Sequence, residues 1–350
     1  MKRFFALLTA LSLILALSAC APARTEGGAE EPPASEGYPF KTVTMIVPYG
    51  PGGTADLVGR QLAAALGEAL GVKFVVENQP GASGAIGCRM ALDAAHDGSV
   101  VLFCADSLGT QRVMGLSELS YDDYEPIMVT ADDPKVVVVA ADSDYQTMEE
   151  LLADIAARPN AVQMAYTGPG GSGHVQALIL NRFGYYPALT AYNSGAEGIV
   201  AVLSHQVAFT NSNYSAVASF IESGDVRLLA ACSTERMERH PDVPALAELI
   251  EGSESYMLLP YTPLSLVVAK DVPGEVCELL RAGCAEAVKS EAFNDYMDRN
   301  SIARLYERYP TPDDMRAFYK EWESRVSWLI YDAGAAMYSP ADFGIERPED

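Results

Sequence analysis

The sequence predicts an α/β fold in which apolar strands end in glycine-rich turns and hand over to helices. Three observations predict it. Residues 43–47 are a short apolar, β-branched run. It leads through Val47-Pro48-Tyr49-Gly50-Pro51-Gly52-Gly53-Thr54-Ala55-Asp56 into Leu57, Val58, Leu62, Ala65, Leu66 and Leu70 at helical spacing. The unit then repeats, with a strand over 74–77, a second glycine-rich turn over 78–87 and a helix ending near Ala95. Third, 99–104 is a continuous apolar run suited to the centre of a parallel sheet.

Ahead of these units, Lys2 and Arg3 precede an apolar run over 4–17 relieved only by Thr9 and Ser12. That is the anatomy of a secretory signal, too short for a membrane span. It ends Leu17-Ser18-Ala19-Cys20, which resembles the bacterial lipobox, so Cys20 is expected to carry lipid and to anchor the chain to a membrane. Residues 21–37 are Ala, Gly, Pro, Glu and Ser with almost nothing large and apolar, which reads as a flexible tether. The folded part is expected to begin near Tyr38 and is long enough for two domains.

The net charge is −23, which argues against nucleic-acid binding, since that needs a basic surface. Beyond Cys20 the cysteines are Cys88, Cys104, Cys232, Cys277 and Cys284, an odd count at irregular spacing. That is neither a disulfide framework nor a zinc pattern, and small buried apolar residues are the expectation.

In the opening turn, three glycines let the backbone approach a ligand, and the first turn of the following helix presents unpaired N–H groups and the positive end of its dipole. A bound anion gains both. The alternative is structural, with Thr54 or Asp56 capping the helix. Asp106 and Ser107 follow the third strand at the same carboxyl edge, so three consecutive turns open onto one crevice. Further strands are expected over 136–140, 162–165, 206–209, 226–231, 264–268 and 302–305, with the chain extended from Tyr256. Helices are expected over 145–157, 175–183, 196–203, 276–288 and from Pro312 to about Tyr331. Glycine-rich or polar turns lie at 166–174, 191–195 and 211–213, and the tail from Ser339 is expected to be loose.

Two catalytic readings compete with binding. Gly50, Gly52 and Ala55 fit a G-x-G-x-x-A dinucleotide turn, with Glu77 at the end of the next strand, so a nicotinamide-dependent oxidoreductase is the rival function. Ser172 and His174 do not make a nucleophile elbow, because His174 stands where glycine is needed. Four scattered histidines make no metal site. No serine–histidine catalysis and no metal site are therefore expected, while the nicotinamide reading stays open on these residues.

The order of motifs carries a resemblance: V-P-Y-G-P-G-G-T-A-D, V-E-N-Q-P-G-A-S-G-A-I-G, T-G-P-G-G-S-G-H, A-Y-N-S-G, H-P-D-V-P. It is similar to the Bug-type substrate-binding proteins of tripartite tricarboxylate transporters over nearly all the chain beyond residue 37. The resemblance implies a two-lobed periplasmic-binding-protein fold of type II, closing on a small organic carboxylate and delivering it to membrane permease subunits. It implies a monomer without cofactor, outside the cytoplasm. The lobes are then expected over 38–140 plus 257–338 and over 141–256, with 339–350 as the tail. By matching motifs, Tyr49, Gly52, Gly53, Thr54 and Asp56 form the first ligand loop, and Gly81, Ala82, Ser83 and Gly84 the second turn. Thr167, Gly168, Ser172 and His174 form the loop of the opposite lobe, and Tyr192 and Gly195 the later Y-x-G turn. Ser107 and Asn211 complete the expected set. Departures stand at Gln79, Ala191, His205, Ala208 and Asn300, and they bear on which acid is bound. No lysine or arginine lies within the 49–56, 81–84 or 167–174 turns, so capture by backbone N–H groups and hydroxyls is expected.

Overall fold

Short β-branched runs bounded by glycine and proline form the strands, and they gather into two sheets. The computed structural model describes residues 37–257 and 262–349. The leader, Cys20 and almost all of the tether lie outside the described residues.

The first sheet uses β1 (Thr42–Val47), β2 (Lys73–Asn78), β3 (Val100–Cys104), β4 (Tyr124–Asp132), β10 (Pro263–Ala269) and β11 (Ala303–Arg304). Its order is β11-β4-β10-β3-β1-β2. The second uses β5 (Lys135–Ala140), β6 (Gln163–Tyr166), β7 (Ala188–Ala191), β8 (Phe209–Asn213) and β9 (Val226–Ala231), in the order β7-β6-β8-β5-β9. The helices are α1 (Thr54–Leu70), α2 (Ala85–Leu92), α3 (Met148–Ala157), α4 (Ser172–Arg182), α5 (Gly195–Leu203), α6 (Tyr214–Ser223), α7 (Leu246–Leu249), α8 (Gly274–Ala287), α9 (Glu291–Arg299) and α10 (Pro312–Asp332).

Four expectations are corrected. The run 136–140 does not close the first sheet. As β5 it pairs antiparallel with both β8 and β9, so the chain leaves the first sheet at 133–134 and not near Ala140. A strand buried on both faces suits the centre of either sheet, and its composition carries no address. Second, the first sheet is mixed: β3 is parallel to β1 but antiparallel to β10. Third, the strand expected over 206–209 is displaced into the polar run Phe209-Thr210-Asn211-Ser212-Asn213, all buried. Finally, the tail is docked. Trp328 donates its indole N–H to the Ile345 carbonyl at 3.1 Å, and Arg347 pairs with Asp332 while lying over the Trp328 ring.

The βα junctions follow local rules. Gly71 in the left-handed region ends α1, Thr147 and Glu150 form a reciprocal cap on α3, and Thr311 and Asp314 do the same for α10. The apolar face of α10 meets the first sheet's flank, where Tyr319 stacks on Tyr121 at 4.0 Å between ring centroids. The five cysteines after Cys20 are unpaired and buried, as expected.

Candidate functional site

The site is built where helix starts from both sheets meet. The N-terminal turn of α1 touches that of α5: the Gly50 N–H donates to the Asn193 carbonyl at 3.1 Å. A Cβ on Gly52, whose φ is +77°, would lie 3.0 Å from the Ala196 Cβ. The 81–84 turn meets the 167–171 turn in the same way, since a Cβ on Gly168 would fall 2.5 Å from Ser83 Oγ. Thr110 Oγ1, from the turn that follows β3, donates to the Gly170 carbonyl at 2.8 Å and ties that turn to the 167–171 turn. The glycines at 50, 52 and 168 are therefore used for backbone-to-backbone closure. For the dinucleotide reading this is decisive at one point: the space beside Gly50 and Gly52 is occupied by Asn193–Ala196 of the opposite sheet.

Between these contacts lies an inner cavity of about 50 Å³, and outside it a groove of about 470 Å³. Tyr49, Thr167 and Asn193 line both. Of the expected residues, Gly53, Thr54, Ser172, Gly195 and Asn211 face the inner cavity. Gly81, Ala82, Ser83, Gly84, Gly168 and Tyr192 face the outer groove.

Four expected residues support the site from behind. Tyr49 OH and Ser107 Oγ share a hydrogen bond of 2.5 Å, and Ser107 Oγ donates to the Ser83 carbonyl at 2.7 Å, so Ser107 holds the tyrosine and the second turn. Asp56 accepts from the Gly52 N–H at 2.9 Å and from Asn78 at 3.0 Å, and pairs with Arg60. It fixes the first turn, and neither it nor Gly52 lines the inner cavity or the outer groove. His174 Nδ1 accepts from the Gly170 N–H at 3.1 Å. Burial holds its pKa down at about 4, so it is a neutral cap within its own loop.

The residues that the motifs missed are charged. Lys135 opens β5 with 2% exposure, its Nζ donating to Asn213 Oδ1 at 3.1 Å and to the Asn211 carbonyl at 3.3 Å. Burial lowers its pKa, opposed by Asp106, Asp133 and Asp132. The expectation of a site without lysine or arginine is thereby corrected. The three turns hold none, but a neighbouring strand supplies one. The signal was legible, since Pro134-Lys135 stands directly before four buried valines.

Two buried carboxylates accompany it. Asp106 accepts from the Ser172 N–H at the start of α4. Asp133 accepts from the hydroxyls of Thr54 and Ser215, and from the Ser215 N–H at 3.3 Å in the first turn of α6. Burial pushes each up to about 6, against these hydrogen bonds and the Lys135 charge. Two helix starts are therefore already served by carboxylates of the chain itself. Asn213, beside Lys135, donates to Thr262 Oγ1 at 2.8 Å and to the Asp133 carbonyl at 2.9 Å. Thr262 Oγ1 in turn donates to Ser172 Oγ at 3.2 Å. Asn211 Nδ2 donates to the Gly173 carbonyl at 3.0 Å, while Asn211 Oδ1 and Ser212 Oγ are buried without a partner among the described residues.

Comparison with known proteins agrees with this architecture. Residues 58–334 match the model of the family described as tripartite tricarboxylate transporter family receptor. Protein BugT of Bordetella pertussis is 28% identical over 315 residues, 89% of this chain and 94% of that one. The solved structure of the periplasmic binding protein BugD aligns with a TM-score of 0.79 at 24% identity, covering 85% of this chain and 99% of that one. MatC from Rhodopseudomonas palustris, solved with bound malate, aligns with a TM-score of 0.76 at 20% identity, covering 84% and 100%. A second R. palustris protein, solved with adipate, aligns at 0.76 and 22% identity, covering 85% and 99%. The fold is the two-lobed α/β fold of such binding proteins.

Proposed function

Because this chain belongs to the tripartite tricarboxylate transporter receptor family, we propose that it is an extracytoplasmic receptor that captures a small organic acid between its two sheets and performs no chemistry on it. The observation that carries this is the convergence of the α1, α4 and α5 starts, one from the first sheet's side and two from the second's, on a single cavity. A carboxylate there meets N–H groups, hydroxyls and the Lys135 ammonium at contact distance, where the acidic surface is screened. Malate and adipate in relatives of the same fold support an acid ligand. The ligand contacts are Tyr49, Gly53, Thr54, Thr167, Ser172, Gly195 and Asn211 inside, with the 81–84 turn, Gly168 and Tyr192 at the mouth. Delivery to permease subunits, a monomeric state and a lipid anchor on Cys20 complete the reading, and Cys20→Ser is expected to release the protein from membranes.

Calorimetry of the purified chain against acids carrying one to three carboxylates, with NAD as control, tests the function. Binding of at least one carboxylic acid at one site, weakened by Gly53→Val, is expected. A Cβ there already lies 3.5 Å from the Gly195 N, so the valine methyls fill the space between the helix starts. Binding of NAD alone, or of no acid at all, overturns it.

A further inference from the structure

We propose that the C-terminal segment 337–347 is a strap that positions residues 106–117 and thereby tightens closure of the two lobes on their acid. This rests on the receptor reading above and adds a control of the same site from outside the cleft.

Residues 106–117 follow β3 and join neither sheet. Their own bonds are those of turns, Met114 N–H to the Thr110 carbonyl at 3.0 Å and Leu116 N–H to the Gln111 carbonyl at 2.9 Å. A segment without a strand ladder takes its position from whatever packs on either side of it. On one side is the opposite lobe. Thr110 Oγ1 donates to the Gly170 carbonyl at 2.8 Å, and Asp106 accepts from the Ser172 N–H. A Cβ on Gly170 would lie 2.8 Å from the Met114 Cγ, so the methionine is laid against that turn as well. Leu116 lines the outer groove, and Ser107 holds Tyr49. One short segment thus carries both contact with the other lobe and support of a cavity wall.

On its other side is the tail. The Val113 carbonyl accepts from two consecutive N–H groups, Met337 at 2.8 Å and Tyr338 at 3.1 Å. Gly115, with φ of +67°, has no room for a side chain, since a Cβ there would fall 2.4 Å from the Met337 Sδ. Arg112 pairs with Glu323 of α10 at 2.7 Å, and its guanidinium carbon lies 5.5 Å from the centroid of the Phe343 ring. Beyond Phe343 the tail runs along α10. Ser324 donates to the Glu346 carbonyl at 2.7 Å, Trp328 to that of Ile345, and Arg347 pairs with Asp332. The tail is therefore fastened to α10 at one end and to 112–115 at the other.

The strength of these ties matters. Met337 is 68% exposed and Tyr338 45%, and the Arg347–Asp332 pair lies at the surface. Exposed ties of this kind contribute little each, and a chain end is ordered only where it is tied down. Such a strap docks and undocks at small cost. Whatever holds 106–117 from the cleft side then favours docking on the tail side, and docking favours closure in return.

Calorimetry against succinate, malate, adipate and citrate, with dissociation rates, compares the unaltered chain with two variants. One is the full chain carrying Phe343→Ala and Arg347→Ala, and the other ends at Ala336. In both, the acid bound tightest by the unaltered chain is expected to weaken at least about five-fold, with faster dissociation. Because coupling is reciprocal, saturating the unaltered chain with that acid should slow hydrogen exchange of residues 337–347 by about the same factor. A tail that only stabilises the fold would lower the unfolding temperature and move neither readout. Unchanged affinity in a folded variant overturns the strap, as does tail exchange indifferent to an acid that binds, and both leave the receptor reading standing. If the shortened chain fails to fold, the double variant decides. Binding of none of the four acids, nor of any acid in the wider panel, overturns the receptor reading and the strap with it.

Discussion

Asp133 and Asp106 are the same residue type, equally out of water, and burial pushes both up to about 6. They differ in how fully they are answered. Asp133 joins three elements: it takes the Thr54 hydroxyl from α1 and both donors of Ser215 from α6, while its own backbone carbonyl accepts from Asn213 of β8. Asp106 takes the Ser172 N–H, and its neighbourhood opens into the cavity beside an amide oxygen without a partner. A perturbed carboxylate is thus no pointer to a binding site in itself. What separates structure from site is whether the surrounding donors and acceptors are already matched.

The largest expected effect that sharpens this contrast is on stability. Asp133→Ala leaves two buried hydroxyls and an N–H without their acceptor and should cost about 3 kcal/mol in urea unfolding, at 1–3 kcal/mol per orphaned group with partial relaxation. Asp106→Ala orphans the Ser172 N–H and removes one of the carboxylates facing Lys135, and should cost about 2 kcal/mol, less than Asp133→Ala. Equal losses in the two variants would break the distinction.

The next effect is in pH. A carboxylate whose folded pKa lies near 6, above its ordinary 3.8, binds its proton more tightly in the folded state. Its contribution is present below about pH 4 and is lost as pH rises through 6. Unfolding free energy of the unaltered chain should therefore fall between pH 4 and 7 relative to Asp133→Asn, which has no proton to lose at that position. Groups such as Asp56, held low by Arg60, the Gly52 N–H and Asn78 against the desolvation that opposes them, act in the other direction but are common to both proteins. The difference between the two curves isolates Asp133, and curves that stay parallel across this range would remove the pKa argument.

Much of the frame was legible in the chain. The opening unit, the second turn and the long α10 follow from periodicity, glycine and caps, and the final helix is found at 312–332. The inner site was legible only in part. Local patterns place Gly53, Thr54, Ser172 and Gly195 at helix starts, but closure between sheets decides which face a ligand. His174 and Asp56 turned inward to their own loops, a matter of side-chain direction that spacing does not carry. Lys135 stands on a strand, outside the glycine-rich turns where the motifs place ligand residues. β8 escaped because Thr-Asn-Ser-Asn reads as a turn. It is a strand because its neighbours β5 and β6 supply a backbone ladder on each side, while its side chains find Lys135, Gly173 and Ala165.

The smallest stability effect completes the contrast from the side of the matched groups. Thr54 and Ser212 both line the cavity and both are buried hydroxyls. Thr54 Oγ1 donates to Asp133, and Ser212 Oγ has no partner among the described residues. Thr54→Val keeps the shape and removes one donor from Asp133, so it should cost about 1.5 kcal/mol in unfolding, the low end for a bond to a charged group. Ser212→Ala removes a group whose desolvation is unrewarded in the closed protein, so unfolding should change by less than about 0.5 kcal/mol, and toward greater stability. Its effect belongs to binding, where the loss of one hydroxyl near Gly195 should weaken the bound acid several-fold. A Ser212→Ala protein that unfolds as easily as Thr54→Val, with ligand affinity intact, would mean that the unmatched groups of this cavity are not there for a ligand.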